Sequence, residues 1–311
     1  MLAVLCPGQG AQSPGMLSPW LELAGLSDTL DAYAAAAETD LRHLGTVADA
    51  ATIRDTAVAQ PLIVATSLLS LRAVLGDDAE PSDVVGLAAG HSVGELAAAV
   101  VAGVLTAEDA IVLVRERGRA MARAAATRPT GMSAVVGGDA DDVAAVIAGH
   151  GLTAANVNGG GQVVAAGTLP QLAALAASPP ARARVIALDV AGAFHTEHMA
   201  PAVAHVREVS DGLPAADPRL TLLSNADGDP VADGHDAIDR IVAQVARPVR
   251  WDLCCERMLE AGVTGVLELA PGGVLTGLAR RTLKGVEALA LKSPDDIDAA
   301  RDLVRRHGGD R

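Results

Sequence analysis

The sequence predicts an α/β fold: a mainly parallel sheet flanked by helices, interrupted by a smaller β-α-β-β-α-β unit. Three observations carry that prediction. Short apolar runs alternate with alanine- and leucine-rich helical patterns along most of the 311 residues. Some of those runs end in glycine-rich turns that open directly into a helix, most clearly at Gly90-His91-Ser92-Val93-Gly94-Glu95. Between residues 132 and 190 the order becomes strand, helix, strand, strand, helix, strand, which is the ferredoxin-like signature.

Taken in order, residues 2–6 form an apolar strand that stops at Pro7-Gly8-Gln9-Gly10-Ala11-Gln12, a tight loop at a strand's carboxyl end, where open α/β sheets place ligands. The loop lacks the third glycine of a dinucleotide fingerprint, so NAD is not inferred. Helical patterns with polar interruptions fill 18–74, and Gln60-Pro61-Leu62 is read as a helix start with proline in its first turn. Residues 84–89 are a strand, 96–101 a helix, and Thr106-Ala107-Glu108-Asp109 caps a helix running to about 126. Ile111, Val114, Gly118, Met121 and Ala125 form that helix's buried stripe, with Arg115 and Arg117 flanking its two edges.

The small unit then reads as strand 132–136, helix 139–148, strands 152–157 and 162–166, helix 169–177 and strand 184–190. Asn156-Val157-Asn158-Gly159-Gly160-Gly161 lies at its central hairpin, and the triple glycine suggests a flexible turn. The larger pattern resumes with strand 220–224, helices 237–246 and 253–261, strand 266–269, helix 274–283, strand 286–291 and a last helix from 294 to about 306. The expected division is therefore 1–127 with 192–311 for the large unit and 128–191 for the small one.

Composition narrows the function. Half the residues are hydrophobic while aromatics are 1%, so alanine, valine and leucine must build the core, and stacking platforms for single-stranded nucleic acid cannot be assembled. A net charge of −14 opposes binding to a phosphate backbone. Cys6, Cys254 and Cys255 make no disulfide framework and read as buried reduced thiols. No signal-peptide pattern opens the chain and no apolar run is expected to span a membrane, so a soluble cytoplasmic protein with no membrane partner is expected.

The chemistry centres on Ser92. A glycine-flanked strand-to-helix turn pushes its hydroxyl out at the end of a sheet, beside a helix N-terminus, as in an α/β-hydrolase nucleophile elbow. There it can attack a carbonyl, and the N–H of Val93 is placed to stabilise the oxyanion. Among eight histidines, His195 and His198 stand out because they sit at the hinge between the two units. Their spacing matches no zinc motif, and neither a metal nor a cofactor is called for.

These pieces together resemble the malonyl-CoA:acyl carrier protein transacylases. The resemblance runs over essentially the whole chain, through Pro7-Gly8-Gln9-Gly10, Gly90-His91-Ser92-Val93-Gly94-Glu95, Arg117-Gly118, Ala193-Phe194-His195, Gln244, Pro248-Val249-Arg250-Trp251 and Pro271-Gly272-Gly273-Val274-Leu275. It implies Ser92 as nucleophile, His195 as base and later acid, and a carbonyl oxygen near Gln244 orienting the histidine. It further implies the N–H groups of Gln9 and Val93 as oxyanion hole, and Arg117 as the clamp on the malonyl carboxylate. His91, Asn156 and Asn158 are expected to line the pocket, and Phe194 to block an α-methyl branch, although Gly192 stands where related malonyl-selective domains often carry histidine. The implied partners are malonyl-CoA and a phosphopantetheine-bearing carrier protein, for which Arg182, Arg184, Arg280, Arg281 and Lys284 can supply a local basic surface. A monomer serving fatty-acid synthesis is expected; loading of a polyketide carrier, a serine thioesterase and a non-catalytic carrier-binding module are the alternatives.

Overall fold

The computed structural model describes residues 1–77 and 79–309; residues 310 and 311, with which the large unit was expected to close, lie outside it. Among the described residues, ten strands form two sheets. The large sheet contains β1 (Leu2–Cys6), β2 (Leu87–Gly90), β7 (Thr221–Leu223), β9 (Gly265–Glu268) and β10 (Glu287–Ala290). Its order is β10-β9-β1-β2-β7, and every pairing is parallel. Central strands covered on both faces need apolar side chains throughout, which is why Leu2-Ala3-Val4-Leu5-Cys6 carries no alternation and is buried along its whole length.

The small sheet contains β3 (Thr130–Gly137), β4 (Thr153–Gly159), β5 (Gln162–Thr168), β6 (Ala183–Ala187) and β8 (Val249–Arg250), in the order β6-β3-β5-β4-β8. Its first four strands, with helices Ala140–Gly149 and Leu169–Ala177, make the ferredoxin-like unit read from the sequence. The fifth was not foreseen. Val249–Arg250 pairs in parallel with β4, so a segment from beyond the 128–191 span closes one edge of the small sheet. Two residues are too short a run to carry a strand pattern.

Other expectations need correction. The helix containing Pro61 runs Thr56–Leu75 and is capped by the Asp55 side chain, which accepts from the Ala57 N–H; the proline therefore lies inside the helix and not in its first turn. The same helix is long and apolar enough to cross a membrane by length and composition, contrary to the sequence reading. Thr56, Gln60, Thr66, Ser67 and Ser70 interrupt the apolar run in the sequence. It is nonetheless a core helix, buried on nearly every face and packed against Ala107–Ala126. Strand β6 ends at Ala187, short of the expected 190: the Leu188 N–H still reaches the Met132 oxygen, but the Val190 N–H turns back to the Leu188 oxygen, and both side chains line the cleft. The triple glycine is not loose: Gly159, Gly160 and Gly161 all have positive φ, and the first two pack closely on Asp252, Arg281 and Thr282.

The cleft opens where β1 and β2 end side by side. A Cβ on Gly90 would lie 2.0 Å from the Gly94 carbonyl carbon, and one on Gly94 would lie 2.2 Å from the Cys6 oxygen. Only glycine at both positions lets the turn after β2 fold back so tightly against the end of β1.

Candidate active site

Ser92 occupies that turn in the left-handed region, at φ 55°. Non-glycine residues avoid this conformation, and its occurrence here marks a backbone held in place by its surroundings. The serine Oγ lies 2.7 Å from Nε2 of His195. His195 itself sits at φ 61° and is buried. Its Nδ1 is 3.0 Å from the main-chain oxygen of Gln244 and 3.1 Å from that residue's Nε2. The main-chain oxygen can only accept, so Nδ1 carries the hydrogen and donates it there, the Gln244 Nε2 being a close neighbour and not a hydrogen-bond partner; this leaves the histidine Nε2 free to accept from the serine hydroxyl. Burial, reinforced by the Arg117 charge, pushes the imidazole pKa down to about 3 against the opposing pull of the Gln244 carbonyl. The ring is a neutral base at physiological pH.

Arg117 is 1% exposed and points inward from the helix Ala107–Ala126. Its Nη1 donates to Gln60 Oε1 at 2.7 Å, and its Nη2 donates to Ser92 Oγ and Gln244 Oε1, each at 3.3 Å. Helical periodicity leaves Arg115 and Arg117 equivalent, but the folded chain separates them. Arg115 turns outward to Glu38, Glu116 and the Ala36 carbonyl. Burial lowers the Arg117 pKa to about 10, with Glu95 opposing, so it stays charged at neutral pH.

Among the described residues, neither the Gln9 nor the Val93 main-chain N–H has an intramolecular acceptor, while the Ser92 N–H is taken by Asn225. A Cβ on Gly8 would meet the His91 oxygen at 2.6 Å, so the loop carrying Gln9 lies directly against the turn carrying Ser92. Two free N–H groups flanking a nucleophile can bind the oxygen of an attacked carbonyl.

The cleft of about 230 Å³ is lined by Ser92, His195, His91, Asn156, Asn158 and Phe194 together with apolar side chains such as Met121 and Leu278. Asn156 and Asn158 lie within strand β4 and not in the turn, and both are buried. His91 Nε2 donates to Asn158 Oδ1 at 2.9 Å, Asn158 Nδ2 donates to Gln162 Oε1 at 2.9 Å, and the His91 ring leans on Trp251. The Asn156 Oδ1 is buried without a partner among the described residues. His198 is kept out of the cleft in the short turn Glu197–Met199.

With this geometry in hand, the acyl transferase domain family matches residues 4–299, a span that contains every residue just described. The malonyl CoA-acyl carrier protein transacylase of Mycobacterium tuberculosis is 51% identical over 308 residues, covering 97% of this chain and 100% of that protein. The enzyme of the same name from Bacillus subtilis is 33% identical, covering 96% of each. The crystal structure of the M. tuberculosis transacylase superposes with a TM-score of 0.91 at 50% identity, over 97% of this chain and 99% of that one.

The chain belongs to the malonyl-CoA:acyl carrier protein transacylase family.

Within this transacylase-family chain, sequence reasoning missed Gln60, Asn225 and the buried carboxyl of Glu95. Gln60 had a signal: it is a buried amide on an otherwise apolar helix, facing the same helix as Arg117. Asn225 had none, because it follows a three-residue strand and looks like an ordinary turn residue. A Ser–His pair beside a buried guanidinium, at a cleft of about 230 Å³, is an arrangement suited to acyl transfer to and from a hydroxyl.

Proposed function

We propose that the chain moves a malonyl group from CoA to the phosphopantetheine thiol of an acyl carrier protein through a malonyl-Ser92 ester, as the names of its relatives imply for them. The observation that carries this reading is the buried guanidinium of Arg117, with Nη2 3.3 Å from the Oγ of a serine paired to His195. Malonyl is short, so a cation beside the nucleophile is where its free carboxylate falls once the thioester carbonyl is under attack. A bidentate guanidinium pair then fixes the acyl group, which a lysine could not reproduce.

Ser92 Oγ attacks the thioester carbon and its proton passes to His195 Nε2. The oxyanion is held by the Gln9 and Val93 N–H groups, each such donor contributing on the order of a hundredfold or more in rate. The C–S bond breaks, and the CoA sulfur takes the proton from His195. The carrier thiol then enters the same cleft, gives its proton to His195 and attacks the ester carbon. The C–O bond breaks and Ser92 recovers its proton. Gln244 holds the histidine in the productive tautomer throughout. No cofactor or metal enters this cycle.

Asn156 Oδ1, a buried acceptor without a partner among the described residues, suits an amide N–H of the pantetheine arm common to both substrates. His91 and Asn158 brace the same wall. Phe194 lines the cleft beside His195, and its ring would disfavour a branched acyl group by the limited margin that one methyl gives a pocket. Residues 128–191 are read as the wall-forming small unit and the remainder as the large one. The carrier approaches the basic residues Arg280, Arg281 and Lys284, all exposed on or just after the helix Val274–Thr282 that begins in the cleft. We read the protein as a cytoplasmic monomer serving fatty-acid synthesis.

Intact-mass spectrometry after mixing with malonyl-CoA tests the reading. A malonyl adduct on the wild type, absent from Ser92→Ala and discharged by holo carrier protein, is the expected result. An adduct that persists in Ser92→Ala, or none on the wild type, overturns it.

A further inference from the structure

Behind the cleft, on the side away from substrate, Asn225 makes a set of contacts that the transfer cycle does not use. It immediately follows Ser224 at the end of β7, the parallel neighbour of β2, and is fully buried. The ladder between these strands stops at Ala89 and Leu223. Beyond it, the Asn225 side chain takes over. Its Oδ1 accepts the Ser92 N–H at 2.7 Å and its Nδ2 donates to the Gly90 carbonyl at 2.8 Å. A side-chain amide thus bridges the two ends of the nucleophile turn as a neighbouring strand would. The amide cannot be flipped, because its oxygen faces a donor and its nitrogen an acceptor.

Asn225 is itself fastened at both main-chain groups. Its N–H donates to Glu95 Oε1 at 2.8 Å, and its carbonyl accepts from the Arg250 N–H at 2.8 Å. Glu95 lies in the first turn of the helix that Ser92 opens, so the contact ties that helix to the end of β7. Burial pushes the Glu95 carboxyl up to about 8, and it sits neutral at physiological pH. Its second oxygen has no partner among the described residues.

We propose that Asn225, seated on Glu95, is a positioning residue that holds Ser92 in its left-handed conformation and so aims Oγ at the bound thioester and at His195. A serine at φ 55° relaxes toward ordinary backbone once the clamp is removed. That swing moves Oγ away from His195 and moves the neighbouring Val93 N–H away from the developing oxyanion. Arg117 loses its bond to Oγ but keeps those to Gln60 and Gln244, so the cation stays in place and substrate still binds.

The inference rests on the acyl-serine reading, and the wild-type malonyl adduct tests that reading separately. Here the measurement is the pre-steady-state rate of adduct formation across malonyl-CoA concentration, alongside a thermal melt, for full-length variants. Asn225→Ala is expected to lower the saturating rate on the order of a hundredfold with the half-saturating concentration within about threefold of wild type. Asn225→Asp keeps the acceptor for the Ser92 N–H and loses the donor to Gly90; its expected loss is about tenfold, again in the saturating rate. Glu95→Gln preserves an oxygen for the Asn225 N–H and should stay within about threefold of wild type, whereas Glu95→Ala should lose about tenfold.

A wild-type acylation rate in folded Asn225→Ala overturns the proposal. If that variant does not fold, a wild-type rate in Asn225→Asp overturns it equally. A loss confined to half-saturation in either variant does the same, and a Glu95→Gln loss as large as that of Glu95→Ala removes Glu95 from the assignment.

Discussion

His195 Nδ1 donates to the main-chain oxygen of Gln244 at 3.0 Å, a neutral acceptor where many serine enzymes place a carboxylate. The carbonyl fixes the tautomer without contributing a negative charge to stabilise the imidazolium. Burial and the Arg117 charge therefore outweigh it, and the folded-state pKa falls to about 3.

A pH dependence of stability follows. In the unfolded chain His195 titrates near its ordinary value of about 6.5, whereas the folded residue stays neutral down to about 3. The unfolded state binds the extra proton between those limits, so this residue's contribution falls as pH drops below about 6.5, by at most about 1.4 kcal/mol per unit. Glu95, whose folded pKa is raised, acts in the opposite sense as pH rises from about 4.5 to about 8. Urea unfolding of wild type against His195→Gln isolates the histidine: the wild type should lose stability relative to the variant on acidification.

Substrate should retune the base. A malonyl carboxylate on Arg117 offsets the positive charge that depresses His195. The acid limb of kcat is then expected at higher pH than that of kcat/KM for adduct formation, since the two profiles report the bound and free enzyme. Superimposable acid limbs would contradict the coupling.

Acyl selectivity should follow the guanidinium and its brace. Arg117→Ala is expected to lose malonyl transfer by on the order of a hundredfold or more while retaining an uncharged acetyl group. Gln60→Ala removes the 2.7 Å hydrogen bond to Nη1 and should lower kcat/KM for malonyl-CoA about tenfold with little effect on acetyl-CoA. Paired kinetics on the two thioesters measure both.

Branched substrates probe Phe194, which is 6% exposed at the cleft. Phe194→Ser should shift the ratio of methylmalonyl to malonyl turnover upward by about 1–3 kcal/mol, the span one methyl group affords a pocket. An unchanged ratio in a folded variant would remove Phe194 from selection. The neighbouring Gly192 is sterically enforced here: a Cβ would meet that of Ala125 at 2.7 Å, so a histidine at this position requires the helix Ala107–Ala126 to give way.

Two glycines of the first loop should behave differently. Gly8→Ala drives a Cβ into the His91 oxygen at 2.6 Å and displaces the segment bearing Gln9, so the acylation rate should drop on the order of a hundredfold. Gly10 has a positive φ but open space around it, and Gly10→Ala should cost about 1–3 kcal/mol in backbone strain with the rate largely intact. Stopped-flow acylation and melting of the two variants separate these outcomes.

The legible part of this site is the part written in glycines and in local order. Gly90, Ser92 and Gly94 announce a turn that only one geometry satisfies, and Thr106 announces the helix that delivers Arg117. Arg117 itself was not separable from Arg115 by period, because the period gives a stripe and not the neighbour across it. Gln60 hides behind Pro61, because a proline signals a helix start in the sequence while the Asp55 cap begins the helix five residues before Gln60. Asn225 and β8 were invisible for another reason: their partners, Ser92 and β4, lie far away in sequence, and no local pattern records a long-range pairing.

That same β8 has a mechanical consequence. Val249 and Arg250 extend the small sheet, the Arg250 N–H meets the Asn225 carbonyl, and Gln244 lies only a few residues upstream. One short stretch of chain is thus stitched to the far wall, to the serine's clamp and to the histidine's rest. Hinging the wall outward would tug on both reacting groups at once. A thiol entering the cleft therefore meets a wall whose edge strand shares one short segment with the supports of both reacting groups.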